Sequence, residues 1–286
     1  PESEGFVEGM SVEDHRLLVR IAFAHPARET RNAARFLAED AARWVGTGGD
    51  GRAVRARVRT AQEGLARDPD SRVRRGVVHL LVGIDFNARS FPETVRVLES
   101  ALGDADGDVR LGALRSLQWA HQGGPVGCIV GEKRTEYDLV PRAPRLRELV
   151  RADPDARVRA QALRGLAWCG RKAHGDVLLA YLAEVDRRVE LDLLAPAVAE
   201  MFRLPEEGAP SYAEGFRQPR DSSDFLVDLR TALRPLREGG SAVARRNAVL
   251  MPVAVAGGPD PDPPMAILDA VIEWLKDAPE VAAEDA

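Results

Sequence analysis

Cysteine, lysine and aromatic residues are all scarce in this chain, and each scarcity excludes something. Two cysteines, Cys128 and Cys169, cannot build a disulfide framework, and neither has a partner at zinc spacing. They fit a reducing compartment, so a cytoplasmic location is expected. An aromatic share of 5% beside 45% hydrophobic residues means that Ala, Leu and Val must fill the core, which suits closely approaching helices. No apolar run is long enough to span a bilayer, and the acidic, polar start Pro1–Asp14 lacks a charged-then-apolar leader; no membrane partner is expected. Enzyme signatures are also thin. The five histidines, His15, His25, His79, His121 and His174, form no His-x-x-x-His pair and no His-Glu dipeptide, so no metal is expected. There is no Gly-x-Ser-x-Gly. The Gly-rich stretch Gly46–Gly51 lacks the Lys-Ser/Thr of a phosphate loop and reads as a plain loop. No cofactor and no catalytic residue is assigned.

Charge is unevenly spread. Pro1–Asp14 holds five acids (Glu2, Glu4, Glu8, Glu13, Asp14) and Asp277–Ala286 holds four (Asp277, Glu280, Glu284, Asp285), with no base in either. Without those nine, 36 acids face 40 bases, so a chain of net charge −5 has a body of about +4. Nearly all the bases are arginine; the lysines are Lys133, Lys172 and Lys276. Arginine is the side chain suited to bidentate contacts with anions.

What the chain does have is a repeat. Asp153–Arg159 (Asp-Pro-Asp-Ala-Arg-Val-Arg) has relatives at Asp68–Arg74 (Asp-Pro-Asp-Ser-Arg-Val-Arg) and Asp104–Arg110 (Asp-Ala-Asp-Gly-Asp-Val-Arg). Each opens an amphipathic stretch with apolar residues at helical spacing, such as Val158, Ala162, Leu163 and Leu166. The equivalent valines Val73, Val109, Val158 and, in a weaker fourth copy, Val189 lie 36, 49 and 31 residues apart. Two short helices and two turns need a little over 30 residues, so the 49 contains an insertion. A second amphipathic stretch precedes each marked one: Val58–Arg67, Pro92–Gly103, Pro144–Ala152 and Val177–Val185. The unit is helix A, a tight turn, then helix B. Asp70, Asp106 or Asp155 can cap helix B. Such a unit buries its apolar face only by stacking on a neighbour.

The pattern Asp-x-Asp-x-x-Val-Arg-x-x-Ala-Leu-x-x-Leu over Leu65–Glu200 resembles the HEAT-like repeats of bacterial α-solenoids. The resemblance implies an all-α solenoid of stacked helix pairs with helix B lining its concave side. It also implies an inter-repeat ladder through Arg74, Arg110 and Arg159, broken or reversed in sign at Glu190. The expected organisation is one solenoid domain over 1–286. Cap helices fill 1–64 (Val12–Ala24 and Arg28–Trp44), and the clear repeats fill 65–202, with an insertion at 123–144. A second insertion loop covers 203–222. Helices at Asp224–Arg237, Ser241–Ala256 and Met265–Lys276 fill 223–277, before an acidic tail at 278–286. A short hairpin within Gly123–Val140 is the one place where strands are expected.

On a wheel of 100° per residue with the valine of helix B at zero, the core face falls at 0, +4 and +8, and the +6 and +10 positions point away from it. The +6 column reads His79, Arg115, Arg164, Ala195; the +10 column reads Gly83, Trp119, Trp168, Ala199. Two of the four tryptophans share one repeat position, each one turn after an arginine, and Trp with Arg is a favoured pair at interfaces. His79, Arg115, Trp119, Arg164 and Trp168 are therefore the candidate binding residues; the competing reading makes the tryptophans inter-repeat filler.

The expected function is a non-enzymatic scaffold or regulator that holds a protein or peptide partner in its groove. Nucleic acid is the disfavoured alternative partner. HEAT-like alkylpurine DNA glycosylases use Trp side chains and a carboxylate on a basic face. Trp119, Trp168, Arg115 and Arg164 are similar in kind, with Asp192 as the acid. That family carries its Asp one turn after a Trp, where this chain has Gly123 and Lys172. HEAT-like di-iron hydroxylases bind metal through His-Glu pairs, which are absent here.

Overall fold

The computed structural model describes residues 9–43, 49–84, 91–121, 139–185, 188–203 and 222–256. All regular structure among them is helical, in two compact units, Pro1–Tyr137 and Asp138–Ala286. The first contains α1 (Val12–Ala24), α2 (Arg28–Arg43), α3 (Gly49–Leu65), α4 (Ser71–Ile84), α5 (Phe91–Ala101) and α6 (Gly107–His121). The second opens with a 3-10 turn, Val140–Arg142. It continues with α7 (Ala143–Ala152), α8 (Ala156–Cys169), α9 (Arg171–Glu184), α10 (Arg188–Arg203), α11 (Ser222–Gly239) and α12 (Ala242–Ala256).

In the first unit α2, α4 and α6 pack in succession as a B layer, and α1 packs on α3 in an A layer. In the second, α8, α10 and α12 form the B layer and α7, α9 and α11 the A layer. This is the all-α stack of HEAT-like helix pairs that the repeats imply. Its core is the predicted stripe: Val73, Val77 and Leu81 in α4, Val109, Ala113 and Leu117 in α6, and Val158, Ala162 and Leu166 in α8 are all buried. Small residues let the layers close up. A Cβ on Gly76 of α4 would run into the Phe23 ring of α1. Gly170 (φ 110°) ends α8 in a conformation that side chains resist, so α9 starts at the next residue.

Four expectations about loops need comment. Gly46–Gly51 is not a loop throughout, because α3 already begins at Gly49. Val54 and Val58 pack with Ala41 in one cluster, and that burial carries the helix back through a glycine-rich first turn. The insertion expected to run to residue 144 ends earlier, since the chain is helical from Val140. The hairpin expected in Gly123–Val140 falls almost wholly outside the described residues. So do most of the second insertion and all of Met265–Lys276.

The turns repeat in detail. The Oδ1 atoms of Asp68, Asp104 and Asp153 accept the backbone N–H groups of Asp70, Asp106 and Asp155 at 2.9, 2.8 and 2.9 Å. Those second acids then cap helix B as predicted, accepting from the N–H groups of Arg72, Asp108 and Arg157. The arginine after each valine turns back onto its own turn: Nη1 of Arg74, Arg110 and Arg159 donates to the carbonyls of Asp68, Asp104 and Asp153. Arg31 does the same to His25 and Pro26, and Arg245 to Gly240, so the first and the last described B helices obey the rule.

From that anchor Arg74 reaches the next repeat with a fork, Nε and Nη2 lying 2.7 and 2.8 Å from the Asp104 carboxylate. The guanidinium holds the Asp104 carboxyl below the usual carboxylate range. At the fourth copy the rung keeps its sense, an arginine meeting an acid of the next repeat, and only its acceptor changes, so the expected break or reversal of sign does not occur. Glu190 occupies the arginine position, and Arg159 Nη2 meets it at 2.7 Å while its Nε meets the Tyr181 hydroxyl.

Arg74→Ala removes four hydrogen bonds, two of them charged, and strands a carboxylate that is nearly buried. We expect a loss of about 2 kcal/mol in urea unfolding. Arg28→Ala, at an exposed site on α2, should stay within about 0.5 kcal/mol. Equal effects of the two would show that the rung contributes nothing.

Candidate functional site

The turn bonds fix the register of every B helix but α10, because in the others the residue whose Nη1 reaches the turn carbonyl is one past the valine position. Applied to α2, this places Phe36 in the +6 column with His79 and Arg115. Phe36 is 70% exposed, the most exposed large hydrophobic side chain among the described residues. Sequence reasoning missed it because the first repeat has Thr30 in place of the marker valine and His25 in place of the turn aspartate. The signal lay in the apolar stripe Ala34 and Ala38, both buried, which align with Val77 and Leu81.

In the first unit, three successive B helices thus present Phe36, His79 and Arg115 in one column, with Trp119 one turn beyond Arg115. His79 is exposed; its Nε2 lies 3.1 Å from Arg35 Nη2 and 3.4 Å from Glu39 Oε1. Glu39 also accepts from Arg35 Nε at 2.8 Å, and that bond above all holds its carboxyl below the usual range. Arg115 is exposed with no partner among the described residues, and Trp119 is half-buried.

In the second unit Arg164 and Trp168 lie on α8 and share one acid. Trp168 Nε1 donates to Glu200 Oε1 at 2.7 Å, and Arg164 Nε pairs with Glu200 Oε2. Glu200, on α10, is the carboxylate that meets this tryptophan; Asp192, two turns earlier on the same helix, is exposed. Ala195 and Ala199, at the corresponding α10 positions, are buried, so the surface drops beside Trp168. Trp168 is partly buried, and its indole N–H ties α8 to α10 through Glu200. Cys169 beside it is buried, as a small apolar side chain would be.

No family model and no curated protein matches this chain. Among solved structures it is similar to importin beta at 17% identity over 96% of its length, with a TM-score of 0.49; it spans about a third (35%) of that longer chain. It is also similar to an engineered protein (16% identity, 91% of this chain and 97% of that one, TM-score 0.38). A designed armadillo repeat protein resembles it at 14% identity over 90% of this chain and 99% of that one, with a TM-score of 0.36. The packing of the chain's own helix pairs carries the fold reading without them.

Chemically, the B faces offer aromatic area, arginine forks and one imidazole. A cleft of about 720 Å³ lies elsewhere, at the turns of the second and third repeats, with Glu63, Arg67 and Arg96 around it and the Arg74–Asp104 rung among its walls. No group of three or more His, Cys, Asp or Glu able to hold a metal ion occurs among the described residues, and no described helix is long and apolar enough to cross a membrane.

Proposed function

We propose that the protein is a scaffold that binds a protein or peptide partner on its B-helix faces. The observation that carries this reading is Trp168, partly exposed and fixed by its indole N–H to Glu200 while Arg164 is held beside it by the same carboxylate. A large aromatic surface held in place loses little conformational entropy when a partner covers it. Phe36, His79, Arg115 and Trp119 supply the matching elements in the first unit. The carboxylate beside the indole is a poor candidate for general-base chemistry, because both its oxygens already accept hydrogen bonds and it is mostly buried.

Trp168→Ala should weaken partner binding by about 2 kcal/mol or more, measured by calorimetry on a partner captured with the intact chain. Folding stability should fall much less. A loss of about 3–5 kcal/mol in stability with unchanged affinity of the folded fraction would make Trp168 inter-repeat filler and remove it from the site. Salt-dependent binding of duplex DNA, or release of alkylated bases, would instead favour the glycosylase reading.

A further inference from the structure

Ion pairs on the two layers are arranged with opposite polarity. On the B helices the cation is the outer member of each described exposed pair. His79 is 54% exposed against 27% for Glu39, and Arg164 is 44% exposed against 16% for Glu200. Arg35 with Glu39 and Arg75 with Asp108 follow the same order. On the A helices the acid is outermost. Glu13 is 76% exposed against 29% for Arg16, and Asp176 is 60% exposed against 26% for Arg147; Glu148 with Arg145 agrees. Arg20, on α1, departs from this pattern, but its partner Asp68 belongs to a turn.

Each such pair is neutral as a whole, while the surface that it turns to a visitor is not. A pair with its cation outermost is a dipole whose positive end faces solvent. Its field dies within a few ångströms, so it acts on contact and contributes little to attraction from afar. Arg115 adds one cation with no described partner. Beside these cations stand Phe36 and Trp119 in the first unit and Trp168 in the second.

We propose that the B-helix face of the first unit takes an acidic polypeptide segment whose carboxylates alternate with apolar side chains. This deepens the scaffold reading and rests on it. Interleaved carboxylates can meet the outer guanidinium and imidazole groups while the apolar residues cover the aromatic rings. A nucleic acid fits less well: its unbroken row of phosphates would run against Glu39 and Asp108, which lie among the cations, and would gain little from dipoles of such short range.

The test uses the full chain and labelled random copolymers: glutamate–tyrosine, serine–tyrosine and lysine–tyrosine, with a duplex DNA alongside. Fluorescence anisotropy at low and at physiological salt reads the binding. The glutamate copolymer should bind about tenfold tighter than the serine one, and Arg35→Gln with Arg115→Gln should remove about that factor. Arg145→Gln on α7 should leave it unchanged, and thermal melts would establish that each variant is folded. Equal binding of the glutamate and serine copolymers would overturn the acidic-partner inference and leave the scaffold reading standing. Failure of every copolymer, with or without DNA binding, would overturn both. Loss of binding in folded Arg145→Gln, with none in the Arg35/Arg115 variant, would place the acidic site on the wrong layer and overturn the inference.

Discussion

Acidification from pH 7 to pH 4 should destabilise the first unit by about 3 kcal/mol through one residue, His15. This imidazole on α1 is 1% exposed, and neither ring nitrogen has a hydrogen-bond partner among the described residues. Burial lowers its pKa from 6.5 to about 4. Between those two values the unfolded chain binds a proton that the folded chain refuses, so stability falls as pH falls through that window. The contribution is fully present above pH 6.5 and gone near pH 4. His174, whose pKa is also lowered by burial and by Arg147, acts in the same direction, so the dependence should not rest on His15 alone. His15→Leu keeps the volume and removes the titration. Urea unfolding of that variant across pH 4–7 should show a flatter acid limb, and its stability at pH 7 should not fall, because an unpartnered buried polar group is replaced by an apolar one. An acid limb as steep as that of the unaltered chain would refute the assignment.

Asn247→Ala should cost the second unit about 3 kcal/mol. Asn247 is fully buried on α12, and its Nδ2 donates to the carbonyls of Leu182 and Val185 at 2.8 and 2.5 Å. These carbonyls lie at the end of α9, where a helix has no acceptor partners of its own. One amide thus closes a helix from a neighbouring repeat. Truncation leaves two buried acceptors unsatisfied and a small cavity. Asn247→Asp should be at least as harmful, since a carboxylate would face two carbonyl oxygens. The measurement is the urea midpoint at constant m-value. A shift equivalent to less than about 0.5 kcal/mol would mean that water or relaxation satisfies those carbonyls.

The helix pairs were legible because the same turn chemistry recurs: Asp68, Asp104 and Asp153 each precede a second acid and a Val-Arg step. The expected helix Val12–Ala24 has those bounds in the structure, where Ser11 and Asp14 close its start with a capping box, Asp14 N donating to Ser11 Oγ at 3.1 Å and Ser11 N to Asp14 Oδ2 at 3.0 Å. The start of α3 was not, because glycine punctuation misleads where burial further along the helix decides. Column arithmetic set Arg164 one turn before Trp168 on one helix and gave no sign of Glu200, which both of them meet. Spacing within one helix says nothing about which residue of the next helix comes opposite. Asn247 escaped for the same reason: in the sequence it is one polar residue before an apolar run, and its partners lie 65 and 62 residues away.

The changed acceptor has a consequence for how such a chain can be copied and edited. Arg74 meets the turn acid of the following pair, Asp104, whereas Arg159 meets Glu190, one residue past the valine position of its follower. A second copy of the α7–α8 pair spliced in place of α9–α10 would bring with it a turn acid equivalent to Asp153, so Arg159 would again be offered a carboxylate. It would lose the Tyr181 hydroxyl that its Nε now meets. Exchange of one helix pair for another therefore costs this junction a hydrogen bond and leaves its charge balance intact.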